Sequence, residues 1–172
     1  MPFSHTLGAY NIEGTLRAWA LAQLTANRPP LAAAAPVILD REEQPLTPPC
    51  WSVDFLGGDS DRPYQGSHVD GGLHGHGRWG VMDVSCWVSR SLPGWRGQLA
   101  QLQDAVTKAV ETVMATGGAV VVRDFYGSAD TPAAVTYRIC IERADVQTPA
   151  PDPNPDIERR RIVISYSWVE RA

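Results

Sequence analysis

The residues best suited to chemistry fall in one short stretch, His68-Val-Asp70-Gly-Gly-Leu-His74-Gly-His76. A His-x-His pair with a nearby aspartate offers imidazole nitrogens and a carboxylate, the donor set of zinc and related transition metals. An enzyme or metal-binding module would be built on these four side chains. Gly75 and Gly77 leave the rings of His74 and His76 without local support, and a solvated glycine-rich loop is the competing reading. The letters Gly75-x-Gly77-x-x-Gly80 match a dinucleotide fingerprint. That fingerprint needs a strand before it and a helix after it, so that phosphate meets a helix N-terminus. Here a loop precedes and a strand follows. No P-loop, HExxH or GxSxG occurs, and no spacing of Ser, His and Asp marks a triad.

Charge is clustered in three further places. Asp40, Glu42 and Glu43 form one acidic group, and Asp59 and Asp61 another. Either could take a hard cation through oxygen, or simply be a solvated turn. Arg159, Arg160 and Arg161 form the one basic run. Such a run pairs with phosphates or with a partner's carboxylates, and it also guards the start of an edge strand. These eight residues are the candidate subunit or partner contacts. Cys50, Cys86 and Cys140 are odd in number, widely spaced and without a CxxC. They read as buried thiols of a reducing compartment, not as a disulfide framework or zinc site. No cofactor is expected.

The rest of the chain must position these groups. Its 172 residues, 44% hydrophobic and 20% charged, fit one ordinary globular domain spanning 1–172. A net charge of −4 argues against a dedicated nucleic-acid binder, though not against a local basic patch. No apolar run approaches the ~18 residues of a membrane span. Met1 to Tyr10 has neither the basic nor the apolar region of a secretion signal.

Ile12, Leu16, Trp19, Ala20 and Leu24 recur at helical spacing and predict a helix over Ile12 to Ala26, with Asn11 as N-cap. Residues 28–49 form a proline-punctuated extended arm containing a short edge strand at Val37 to Leu39. Alternation predicts strands over Cys50 to Leu56 and Trp79 to Arg90, a hairpin with a long loop at 57–78. The Gly-rich loop should be mobile in a free subunit, because ordering it is entropically costly. Leu99, Leu102, Val106, Val110 and Val113 mark a second helix over Arg96 to Ala115, stopped by Gly117-Gly118. Three closing strands follow, over Ala119 to Tyr126, Ala133 to Ala144 and Arg161 to Val169. The last two flank a stiff Pro-rich loop at 147–156. The expected fold is α+β: two helices packed on a mainly antiparallel sheet of about five strands, in the order α-β-β-α-β-β-β.

This layout resembles the lambda-type tail terminator (tail completion) proteins of long-tailed bacteriophages. Thr15-Leu-Arg-Ala-Trp-Ala-Leu-Ala22 is similar to their first helix. Pro36-Val-Ile-Leu-Asp-Arg-Glu-Glu-Gln-Pro45 is similar to their short strand, acidic turn and proline. Asp83-Val-Ser-Cys-Trp-Val88, then Pro93 and Gln98 to Val113, resembles the second hairpin strand and second helix. Arg161-Ile-Val-Ile-Ser-Tyr-Ser-Trp168 resembles the last strand. The likeness covers residues 12 to 170 and rests on element order and composition. The His-Gly loop and the Pro-rich loop depart from it.

The resemblance implies a structural protein and no enzyme. It implies a homo-oligomer, a hexameric ring that caps the tail tube, stops its polymerisation and presents the head-joining surface. Its partners would be the tail tube protein and a head or neck connector protein. DNA would pass the channel without sequence-specific binding, and no membrane would be involved. The place would be the virion tail, assembled in the host cytoplasm. A neck or head-tail connector of related fold is the alternative, beside the metal-binding module or enzyme of the His68–His76 loop.

Overall fold

The structure, a computed structural model, describes residues 9–40, 43–55, 68–69, 73–127 and 130–171. Helix α1 runs over Ala9–Ala26 and buries Ile12, Leu16, Ala20 and Leu24, the expected stripe. It begins earlier than the sequence pattern suggests. Asn11 therefore lies inside the helix and is fully buried, not an N-cap, and its amide is used elsewhere. A single 3-10 turn at Pro30–Ala32 leads to strand β1, Val37–Ile38, which pairs in parallel with β2, Cys50–Phe55.

The hairpin is longer than expected. β3 covers His68–Val69 and β4 covers Leu73–Ser89. The final part of the expected 57–78 loop is therefore strand. Backbone ladders do not need side chains, so the glycines there did not end the strand. Gly75, Gly77 and Gly80 all pair with the last strand, opposite Arg171, Val169 and Tyr166. Residues 56–67 and 70–72, on which the mobility expectation chiefly falls, lie outside the described residues.

Helix α2, Trp95–Ala115, buries Leu99, Leu102, Val106, Val110 and Val113, the predicted face. Gly117 and Gly118 end it with φ of 93° and 71°, a left-handed turn that favours glycine. β5, β6 and β7 then cover Ala119–Asp124, Ala133–Gln147 and Ile157–Arg171. β6 and β7 are both longer than expected: Ile157 and Glu158 already pair with Ser89 and Val88, and Asp145 to Gln147 pair with Val163 to Arg161. The connection between them is 148–156, within one residue of the expected Pro-rich loop at 147–156.

Among the described residues the sheet has seven strands in the order β1-β2-β4-β7-β6-β5, with β3 paired to the start of β4. Every neighbour is antiparallel except β1 with β2. The α+β class stands, while the expected count of about five strands was too low. A two-residue strand carries no alternation, so nothing in the sequence marks β3.

Both helices pack on one face. Trp51, Val53, Met82, Val84, Cys86, Val88, Ile162, Ile164 and Tyr166 meet them there, and Trp51 Nε1 donates to the Leu102 carbonyl at 3.0 Å. A small second cluster, Ile38, Cys50 and Trp87 with Leu46 and Ile157, sits on the other face. The arm thus wraps the β1 edge and reaches the side away from the helices.

Candidate interface on the open face of the sheet

Alternation along β4 turns Asp83, Ser85 and Trp87 away from the helices, since Met82, Val84, Cys86 and Val88 face them. Register adds Ser52 and Asp54 from β2, opposite Ser85 and Asp83. It adds Arg161 and Arg159 from β7, opposite Ser85 and Trp87. Four of these residues are almost fully enclosed: Ser52 and Ser85 at 0%, Asp83 at 1% and Trp87 at 3% exposure.

The enclosed groups are matched to one another. Arg161 Nε donates to Asp83 Oδ2, and Arg159 Nη2 reaches the same oxygen at 3.4 Å. Ser85 Oγ donates to Asp83 Oδ1 at 2.9 Å and accepts from Arg159 Nε and Nη2 at 3.0 and 2.8 Å. The Arg159 guanidinium also lies 4.8 Å over the Trp87 ring, whose Nε1 donates to Ser52 Oγ at 2.9 Å. Ser52 in turn faces Asp54 at 3.4 Å. A carboxylate held this way has its lone pairs occupied. The arrangement can fix strands and leaves two guanidiniums each about a quarter exposed, 24% by side chain.

The arginine run therefore divides. Arg159 and Arg161 converge on Asp83, while Arg160 donates to Thr148 at the start of the Pro-rich loop, at 2.5 Å. Asp40 and Glu43 are exposed beside β1, where the Gln44 N–H closes the turn on the Asp40 carbonyl at 2.9 Å. Glu42, Asp59, Asp61 and Asp70 lie outside the described residues. His68 is the register partner of His74, and His76 that of Glu170. Among the described residues no group of three or more His, Cys, Asp and Glu side chains is gathered as a metal site requires.

Sequence reasoning missed Asp83, the centre of this network. Its signal was an aspartate inside a strand whose other face is continuously apolar; such a charge needs a partner. It also missed Asn11 and Thr15. The Asn11 side chain donates to Asp124 Oδ1 at 3.2 Å and accepts from the Phe125 N–H at 2.8 Å. The Thr15 hydroxyl accepts from the Arg123 N–H at 2.9 Å. Helix α1 thereby satisfies the outer edge of β5.

Past this network the open face continues over β5 and β6 with exposed Val121, Arg123, Thr136, Arg138 and Cys140. An Arg143–Asp145 pair at 2.6 Å follows on β6. Among the described residues no helix is long and apolar enough to cross a membrane.

No family model matches the chain, and no curated protein matches it. Twelve chains of solved structures match. One of them comes from a structure titled "Virion of native gene transfer agent (GTA) particle", with 17% identity and a TM-score of 0.46. The match covers 95% of this chain and 100% of that one.

Proposed function

We propose that the chain is a structural subunit of a phage-like tail, of the terminator type, and has no enzymatic role. It would close into a ring on the end of the tail tube, stop tube growth and present the surface that joins the head. Its place would be the virion, after assembly in the host cytoplasm. The observation that carries this reading is a single sheet with two unlike ends. At one end β1 is followed by the exposed acids Asp40 and Glu43; at the other, β5 and β6 display Arg123 and Arg138. Unlike ends associate head to tail, and a head-to-tail contact that closes gives a ring. The order of helix, hairpin, helix and closing strands also agrees with the terminator layout. A mildly acidic chain suits a channel that DNA must cross without adhering.

The test is native mass and particle images of purified protein across a concentration series. A closed ring is expected from head-to-tail association, with about six copies if the terminator resemblance holds. Arg123→Glu with Arg138→Glu should weaken it, and Asp40→Arg with Glu43→Arg in the same chain should restore it. A protein that stays at one or two copies at every concentration overturns the ring. Capping of tail-tube polymers, as against binding to head connectors alone, separates the terminator from a neck protein.

The cross-strand placement of His68 and His74 favours one other reading, a metal-binding module. Metal analysis of protein prepared without a histidine tag decides it, because stoichiometric zinc would favour the module.

A further inference from the structure

β6 is staggered between its neighbours. Ala133 to Cys140 run opposite Asp124 to Ala119 of β5, whereas Ile139 to Gln147 run opposite Trp168 to Arg161 of β7. On the β5 side the ladder stops where the Ile141 N–H donates to the Gly118 carbonyl at 2.6 Å. Glu142 is the extra residue of a bulge. From there to Gln147, no described residue bonds the edge that faces away from β7. The contrast with β5 is plain, since α1 seals that edge with Asn11 and Thr15.

We propose that this open edge of β6 pairs, antiparallel, with the same segment of a second copy of the chain, making one continuous sheet with the helices of both copies on one side. Symmetry and charge select the register. A two-fold axis perpendicular to the sheet keeps each residue on its own face, so the axis passes at a residue and not between two. At Arg143 or at Asp145 it sets like charges opposite each other. At Val146 it sets Arg143 against Pro149, beyond the end of the strand. At Ala144 it places Arg143 opposite Asp145 of the second copy and Asp145 opposite Arg143 of the second copy.

The same register fits the length of the gap. The regular pairing runs from Arg143 to Asp145, the Glu142 bulge closes it on one side, and Gln147 comes level with Ile141, where Gly118 already occupies the edge. Pro149, which has no N–H to offer, then carries the chain away. Val146, 53% exposed in the single copy, would be covered. Charges on a free edge ordinarily discourage pairing; their order here makes pairing with the same sequence favourable. The contact is two-fold, so it is separate from the head-to-tail ring contact and does not rest on it.

Sedimentation equilibrium at low salt tests this with the whole chain. Below the concentration at which rings form, the wild type should be a reversible dimer. Arg143→Asp alone and Asp145→Arg alone should each lose it, while an equimolar mixture of the two variants should regain it. The double variant Arg143→Asp/Asp145→Arg should regain it as well. These side chains are 72% and 37% exposed, so the reversals should leave the far-ultraviolet circular dichroism unchanged. A wild type with no dimer at any concentration overturns the proposal, as do single variants that dimerise as well as the wild type or a double variant that does not recover. Rings that form equally well from the single variants, with no dimer contact, would uphold the tail reading and overturn this one.

Discussion

At Asp83 two guanidiniums and a hydroxyl converge on a carboxylate that is 1% exposed. Removing Arg161 would leave that charge enclosed with a weaker counter-charge. Arg161→Ala is therefore expected to cost about 3–5 kcal/mol, the range for breaking a buried pair. Thermal unfolding checks it, with Arg160→Ala as the comparison that should change little. Charge reversal across the whole run would thus damage the subunit itself as well as any contact between subunits. Asn11→Ala removes two hydrogen bonds to the β5 turn and leaves the Phe125 N–H unmatched, for about 1–3 kcal/mol. Hydrogen exchange should then rise at Phe125. The thiols differ as well: Cys50 and Cys86 are buried, and burial with the nearby Asp83 charge pushes the Cys86 thiol far above its ordinary range. A thiol reagent should modify exposed Cys140 quickly, and the other two only on unfolding. These residue-level pairings were hard to see in the sequence. Asp83 and Arg161 are 78 positions apart, and Asn11 is 114 from Phe125. Only the register of distant strands makes them neighbours.

Elements were more legible, and unevenly so. Helix α2 was readable because five large aliphatic residues repeat on one face, and Leu102 at its centre is fully buried. Leu102→Ala should cost about 2–5 kcal/mol, measured by denaturant unfolding. The early part of β4 was not readable, because glycine has no side chain to betray a face. Gly80 shows what that absence is for. A Cβ there would stand 2.5 Å from the Tyr166 ring, which packs across the strand. Gly80→Ala should be destabilising by about 1–3 kcal/mol through overpacking, and Tyr166→Leu in the same chain should recover part of the loss. Tyr166 also sets a pH limit. Burial first, then the Glu13 charge, raises its hydroxyl pKa above the usual value of 10.0. The folded chain then holds its proton where the unfolded chain has lost it. Stability should be complete below about pH 10 and fall as pH rises past it, and Tyr166→Phe should remove that part of the decline.

For the whole molecule, charge explains more than shape. The acidic turn and the arginine-bearing end of the sheet are exposed, so association through them should weaken as salt approaches about 1 M, where screening acts within ~3 Å. The Asp83 network, whose carboxylate is enclosed, should respond less to the same salt, and melting temperature followed beside native mass separates the two effects. One further property follows from the place of β7. It comes after every other described element, yet it lies in the middle of the sheet between β4 and β6. Until Ile157 to Arg171 are available, β4 and β6 each expose a long unsatisfied edge, and the core lacks Ile162, Ile164 and Tyr166. Most of the pairing is between distant positions, which slows folding. A nascent chain on the ribosome would therefore wait, open and in need of protection, until β7 emerged. A chain terminated before Ile157 would aggregate or be degraded instead of entering an assembly as a defective copy.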